Sequence, residues 1–272
     1  MKDYTKILPK HIERFIGNND LFLEIYEGKK DKSKERPPLL FVHGAYTGSW
    51  MWSKYIPHFE GDGWNCYGMN LRSHYRSRVM DMTRITFEDY LEDIKEVIAV
   101  CSEPPVLIGF SMGGILCQKI AETQKLSGLI LIDSSISKQV YEKVPYKDLE
   151  IPTCGNVAPA PEREEISSID ESPEDIAFQR KYLSMESSLT LLKSSIPFGA
   201  KEGISINSSL FTCPCLVIKA IGCEEDEVRG MAEAEHLHAE YMGFEKTTHT
   251  GLLIGQRYNE VIERIIGWLS RL

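Results

Sequence analysis

Residues 106–114 read Val-Leu-Ile-Gly-Phe-Ser-Met-Gly-Gly, and apolar positions at Ile115, Leu116, Ile120 and Ala121 follow with helical spacing. A serine caught between a buried-type strand and a helix must stand on a very tight turn with its hydroxyl exposed. Side chains at the flanking positions 109 and 113 would collide with the strand or the helix, which explains glycine at both. A serine hydroxyl is a weak nucleophile by itself. To attack a carbonyl carbon, Ser111 needs a base to take its proton, an acid to orient that base, and N–H donors where negative charge develops.

The chain offers candidates for each role. His249 lies in Glu245-Lys246-Thr247-Thr248-His249-Thr250-Gly251, between a short strand pattern and the terminal helix pattern, and is the expected base. Four consecutive carboxylates, Glu224, Glu225, Asp226 and Glu227, follow the apolar strand pattern at 216–221. Asp226 is the expected acid, because a short carboxylate just before a helix start is easily aimed at the histidine. Glu225 ranks next and Asp133, at the end of the preceding core strand, third; the other carboxylates are expected to form a solvated acidic loop. The oxyanion donors are expected to be the backbone amides of Met112, at the helix N-terminus where the macrodipole favours negative charge, and of Ala45, after the turn at His43-Gly44. His43 itself is read as structural. Tyr46, Trp50 and Phe110 are expected to contact substrate, with lid residues such as Tyr182, Leu183, Met185, Leu189 and Leu192 able to complete an apolar pocket or simply to pack.

The rest of the chain must hold these residues together. Its 272 residues suffice for one α/β core, and 42% hydrophobic with 26% charged residues is ordinary for a globular protein. A net charge of −9 argues against nucleic acid or an anionic membrane as partner. No apolar run approaches the ~20 residues of a membrane span, and no apolar stretch follows the first residues as in a signal peptide. A cytoplasmic location is expected. Seven cysteines, an odd number lying mostly in apolar segments, read as buried free thiols. His236 and His238, flanked by acids, read as a solvated helix face rather than a metal site.

Strand patterns at 11–16 and 21–26 form a hairpin, and further strands are expected at 39–42, 64–69, 106–110, 128–133, 214–221 and 244–247. Helices are expected at 49–59, from Thr86 as cap to Cys101, after Ser111, and from about Tyr258 to the end. Alternating strands and helices predict a mostly parallel eight-stranded sheet covered on both faces. Residues 135–210 break the rhythm and are read as a lid inserted between two core strands, so that 1–134 and 211–272 make the core.

His43-Gly44-Ala45-x-x-Gly48-x-Trp50-x-Trp52, the turn at Ser111 and the late His249, in the order Ser…Asp/Glu…His, resemble the α/β-hydrolase superfamily over nearly the whole chain outside the lid. The His-Gly-Ala…Trp-x-Trp loop is also similar to that of plant methyl esterases and hydroxynitrile lyases. One departure is visible: relatives commonly carry Leu-Arg-Gly-His-Gly, where this chain has Leu71-Arg72-Ser73-His74-Tyr75. Loss of both glycines implies a different backbone path there. The resemblance implies a serine hydrolase of small or medium-sized carboxylic esters or thioesters, acting through an acyl-enzyme without metal or organic cofactor. The alternatives are a non-catalytic ligand receptor and a lyase on the same scaffold.

Overall fold

The computed structural model describes residues 2–29, 36–146, 155–194 and 203–272. The apolar runs become strands β1 (Ile12–Ile16), β2 (Leu21–Tyr26), β3 (Leu39–Val42), β4 (Cys66–Met69), β5 (Val106–Phe110) and β6 (Gly128–Ile132). Two short strands, β7 (Val157–Ala158) and β8 (Glu186–Ser187), precede β9 (Cys215–Ile221) and β10 (Glu240–Glu245). Eight of them form one sheet in the order β1-β2-β4-β3-β5-β6-β9-β10; β1 and β2 run antiparallel to their neighbours and the others are parallel. This is a mostly parallel α/β-hydrolase sheet.

Every residue of β3, β4, β5 and β6 is buried, as a parallel sheet covered on both faces requires. Alternate residues serve two apolar layers. Phe41, Ile108, Ile130 and Ile218 pack with α1 (Ile56–Gly61) and α9 (Tyr258–Leu269). On the other face Leu40, Leu107, Leu129 and Val217 pack with α2 (Phe87–Ile98), α3 (Met112–Ala121) and α7 (Glu224–Leu237). Helix α2 starts at a capping box in which the Thr86 and Asp89 side chains satisfy each other's backbone N–H.

Two sequence expectations change. The stretch 49–59 is a 3₁₀ turn, Ser49–Trp52, followed by α1, because Pro57 lacks the N–H that would continue one helix through it. The last strand lies earlier than 244–247. As a half-solvated edge strand paired with β9, β10 shows no continuous apolar run.

Between β6 and β9 the chain forms α4 (Lys138–Lys143), which packs against α7, then the β7–β8 ribbon, α5 (Pro173–Tyr182) and α6 (Ser188–Ser194). Parts of the expected lid, 147–154 and 195–202, lie outside the described residues, as does Cys154. The other six cysteines are free thiols. Among the described residues, no helix is long and apolar enough to cross a membrane.

Candidate active site

Ser111 sits between β5 and α3 at φ 54°, ψ −122°, a conformation that L-residues rarely adopt. The flanking glycines are steric necessities. A Cβ on Gly109 would lie 2.6 Å from the Gly113 carbonyl oxygen, and one on Gly113 would lie 2.4 Å from the carbonyl oxygens of both Val42 and His43. The strand-to-helix turn is therefore as tight as its sequence form suggests.

The neighbouring strand end is tied to the same turn. Ser111 N–H donates to Ile132 O (3.1 Å), and Ser135 N–H donates to Ser111 O (2.9 Å). These two bonds bracket Asp133, which itself turns at φ 42° with its N–H on Ile218 O. The Asp133 carboxylate meets His249 Nδ1 through Oδ2 at 2.5 Å, and its Oδ1 lies 2.7 Å from Lys219 Nζ. Burial would raise the Asp133 carboxyl, but Lys219 and His249 together hold it below the usual carboxylate range. The His249 ring, about half exposed, stacks on Phe110 with centroids 4.6 Å apart and an interplanar angle of 28°. Since Phe110 precedes Ser111, the stack brings the imidazole beside the serine turn.

After β3 the chain folds back at Gly44, where a Cβ would lie 2.9 Å from Ser111 Cβ. The Gly44 carbonyl accepts from His43 Nδ1 and from the Thr47 hydroxyl, both at 2.8 Å. Fixing that oxygen fixes the Ala45 N–H, which points the opposite way in the same trans peptide. His43 Nε2 accepts from Leu71 N–H at 3.1 Å, so the ring must be neutral; complete burial, aided by His74, pushes it down to about 3. Met112 is the first residue of α3, so its N–H has no intrahelical acceptor. The Met112 N–H thus stands at the anion-favouring start of α3, directly after Ser111, and the Ala45 N–H follows the turn that brings Gly44 against Ser111.

The insertion grips this site twice. Glu171, 2% exposed, accepts from Thr248 Oγ1 (2.8 Å) and Thr250 Oγ1 (2.7 Å), the two neighbours of His249. Asp170 lies so close to Gly251 and Gly255 that a Cβ on either would collide with its carboxylate. At the other end Glu186, wholly buried in β8, accepts from Tyr46 N–H, Tyr90 Oη and His74 Nε2. Burial would lower His74, but Glu186 raises it; the same contact, against burial, lowers Glu186. Between residues 73–82 and the insertion lies a largely apolar cavity of about 520 Å³, lined among others by Met80, Met82, Val157, Leu183 and Met185 but not by Ser111, His249, Ala45, Tyr46 or Met112.

A family model described as the alpha/beta hydrolase fold matches residues 37–148. Polyneuridine aldehyde esterase of Rauvolfia serpentina is 32% identical over 109 residues, a match that spans 38% of this chain and 40% of that protein. A crystal structure of polyneuridine aldehyde esterase superposes with a TM-score of 0.68 at 18% identity, covering 86% of this chain and 99% of the other. The chain has the α/β-hydrolase fold. A methylesterase from Arabidopsis, at TM-score 0.66 and 17% identity, shares the fold over 87% of this chain and all of its own.

Within this fold, the structure gathers Ser111, His249, Phe110, Ala45, Tyr46 and Met112 at one end of the sheet. It does not bring Asp226 there. That carboxylate caps α7 through the Gly222 and Cys223 amides and pairs with Arg229 at 2.7 Å, so the acid facing His249 is Asp133, the third candidate. Glu224 and Glu225 share the first turn of α7 with it. Trp50 is 1% exposed, stacks on Tyr182 and meets Phe178 edge-on, both in α5, a packing contact between core and insertion. Ser73 and Tyr75 take positive φ, 64° and 47°, so the backbone keeps a glycine-like conformation although the glycines are gone. Tyr75 packs edge-on against Phe22 and Tyr182. Sequence reading missed Lys219, Glu171 and Glu186. A lysine inside the run Leu-Val-Ile-Lys-Ala-Ile was the available signal, because a buried ammonium demands an anionic partner.

Proposed function

We propose that this chain is a serine hydrolase that cleaves a small or medium-sized carboxylic ester or thioester through an acyl-enzyme on Ser111. The observation that carries the reading is the 2.5 Å contact between Asp133 and His249 beside the strained Ser111 turn. His249 Nδ1 donates to Asp133, which leaves Nε2 free to take the Ser111 proton as the hydroxyl oxygen attacks the carbonyl carbon. The Ala45 and Met112 amides receive the oxyanion; losing one such donor typically costs about 10²–10³ in rate. His249 then protonates the leaving group, and water repeats the sequence on the acyl-enzyme. The esterase names among the similar proteins support a hydrolase of this superfamily. The core-plus-lid division at 1–134/211–272 and 135–210 belongs to the same reading, with the insertion covering the substrate.

A fluorophosphonate probe should label the wild type at Ser111 and leave Ser111→Ala unlabelled. A panel of nitrophenyl esters and acyl-CoA thioesters of graded chain length should then show turnover above the Ser111→Ala background. An unlabelled wild type would refute the nucleophile. Labelling without turnover of any ester would move the protein to the receptor or lyase alternatives.

A further inference from the structure

Lys219 interrupts the apolar run of β9 and is only 4% exposed. Helix α7 closes over it: a Cβ on Gly230 would lie 3.2 Å from Lys219 Cβ and 2.6 Å from the Tyr241 ring. Its ammonium reaches Asp133 Oδ1 at 2.7 Å side-on, as an ion pair rather than an aligned hydrogen bond, while Oδ2 of the same carboxylate serves His249. One buried anion is thus shared between a permanent cation and the group that must become a cation during catalysis.

The surrounding charges are few. From α7 come buried Glu233, which accepts from Gln118 of α3 at 2.8 Å, and Arg229, which pairs with Asp226 and lies over the Tyr146 ring. Tyr146 beyond α4 and Tyr241 of β10 are the other titratable groups facing the lysine. Glu233 is pushed up to about 7 by burial despite Lys219, so it neutralises the ammonium only in part near neutral pH. Burial would lower Lys219, but Asp133 keeps it well above the usual lysine range, so it stays charged.

We infer that Lys219 is a positioning residue of the site: its ammonium keeps the Asp133 carboxylate charged and oriented, and it opposes protonation of His249. The inference rests on the reading of Ser111, His249 and Asp133 as the reacting set. An imidazolium next to Asp133 feels attraction from the carboxylate and repulsion from the lysine behind it, and at partly buried sites neither is fully screened. Lys219 therefore makes His249 a weaker base than an unopposed carboxylate would.

The test is the pH dependence of the second-order rate constant for inactivation by a fluorophosphonate, which reads Ser111 reactivity without knowledge of the substrate. In Lys219→Met and Lys219→Gln the acid limb should move up by about half a unit to one unit. Lys219→Arg, which keeps the charge, should hold the limb at the wild-type position. Circular dichroism melts confirm folding of each variant. A limb that stays put in a folded neutral variant, whatever the loss in plateau rate, would overturn the inference. Failure of all three variants to fold would also overturn it, since Lys219 would then serve the core alone. An unreactive wild type would instead refute the hydrolase reading, so the two failures are distinct.

Discussion

At residue 111 the backbone holds a strained φ of 54° because β5 and α3 leave no room for another path. The arrangement makes Gly113 intolerant: Gly113→Ala should lower stability by about 3 kcal/mol or fail to fold, as measured by urea unfolding. The acid at 133 yields a sharper prediction. Asp133→Asn should reduce kcat by about 10³–10⁴-fold, because the imidazole loses its orientation and its counter-charge. Asp226→Asn should leave kcat within about twofold and cost at most about 1 kcal/mol through the α7 cap. The serine and the histidine were legible because their local sequences, strand-turn-helix and loop-before-helix, declare their positions. The acid was not. A run of carboxylates after β9 and a single aspartate after β6 look alike along the chain, and only the pairing of β6 with β5 puts Asp133 next to the serine turn.

At the scale of elements, the insertion acts on the site through two carboxylates. Glu171 braces both neighbours of His249, so Glu171→Ala should lower kcat by about 10- to 100-fold with little change in KM, a split that steady-state kinetics resolves. Glu186 links β8 to His74 and to the Tyr46 amide, and its effect on stability should depend on pH. His74 is raised by Glu186, so its contribution is full below the ordinary histidine value of 6.5 and fades as pH climbs through the raised one. Glu186 is lowered, so its contribution is present above 4.5 and fades as pH falls through the depressed value. The stability difference between wild type and Glu186→Gln should peak between these limits at about 3 kcal/mol. Neither link was readable beforehand. The segment from β6 to β9 does not write the positions of these carboxylates into a local pattern, and their contacts reach 77 to 140 residues along the chain.

Across the whole molecule, the sheet was the most legible feature, because buried parallel strands write themselves as short apolar runs between helices. The edge strand β10 escaped for the opposite reason, being half in water. The net charge of −9 adds a property of the assembled surface. An ester carrying a carboxylate should be repelled, so its kcat/KM should rise roughly threefold from about 10 mM to 0.15 M salt while that of a neutral ester stays flat. The brace at Glu171 bears on how such an enzyme can diversify. Exchanging the 135–210 segment wholesale would be a direct way to change substrate range, but here the donor segment would also have to bring an anion that fits the threonines on either side of His249. A graft lacking it should bring its own specificity together with a loss of about the same 10- to 100-fold size as Glu171→Ala, so exchange of this segment favours donors with a carboxylate at that place.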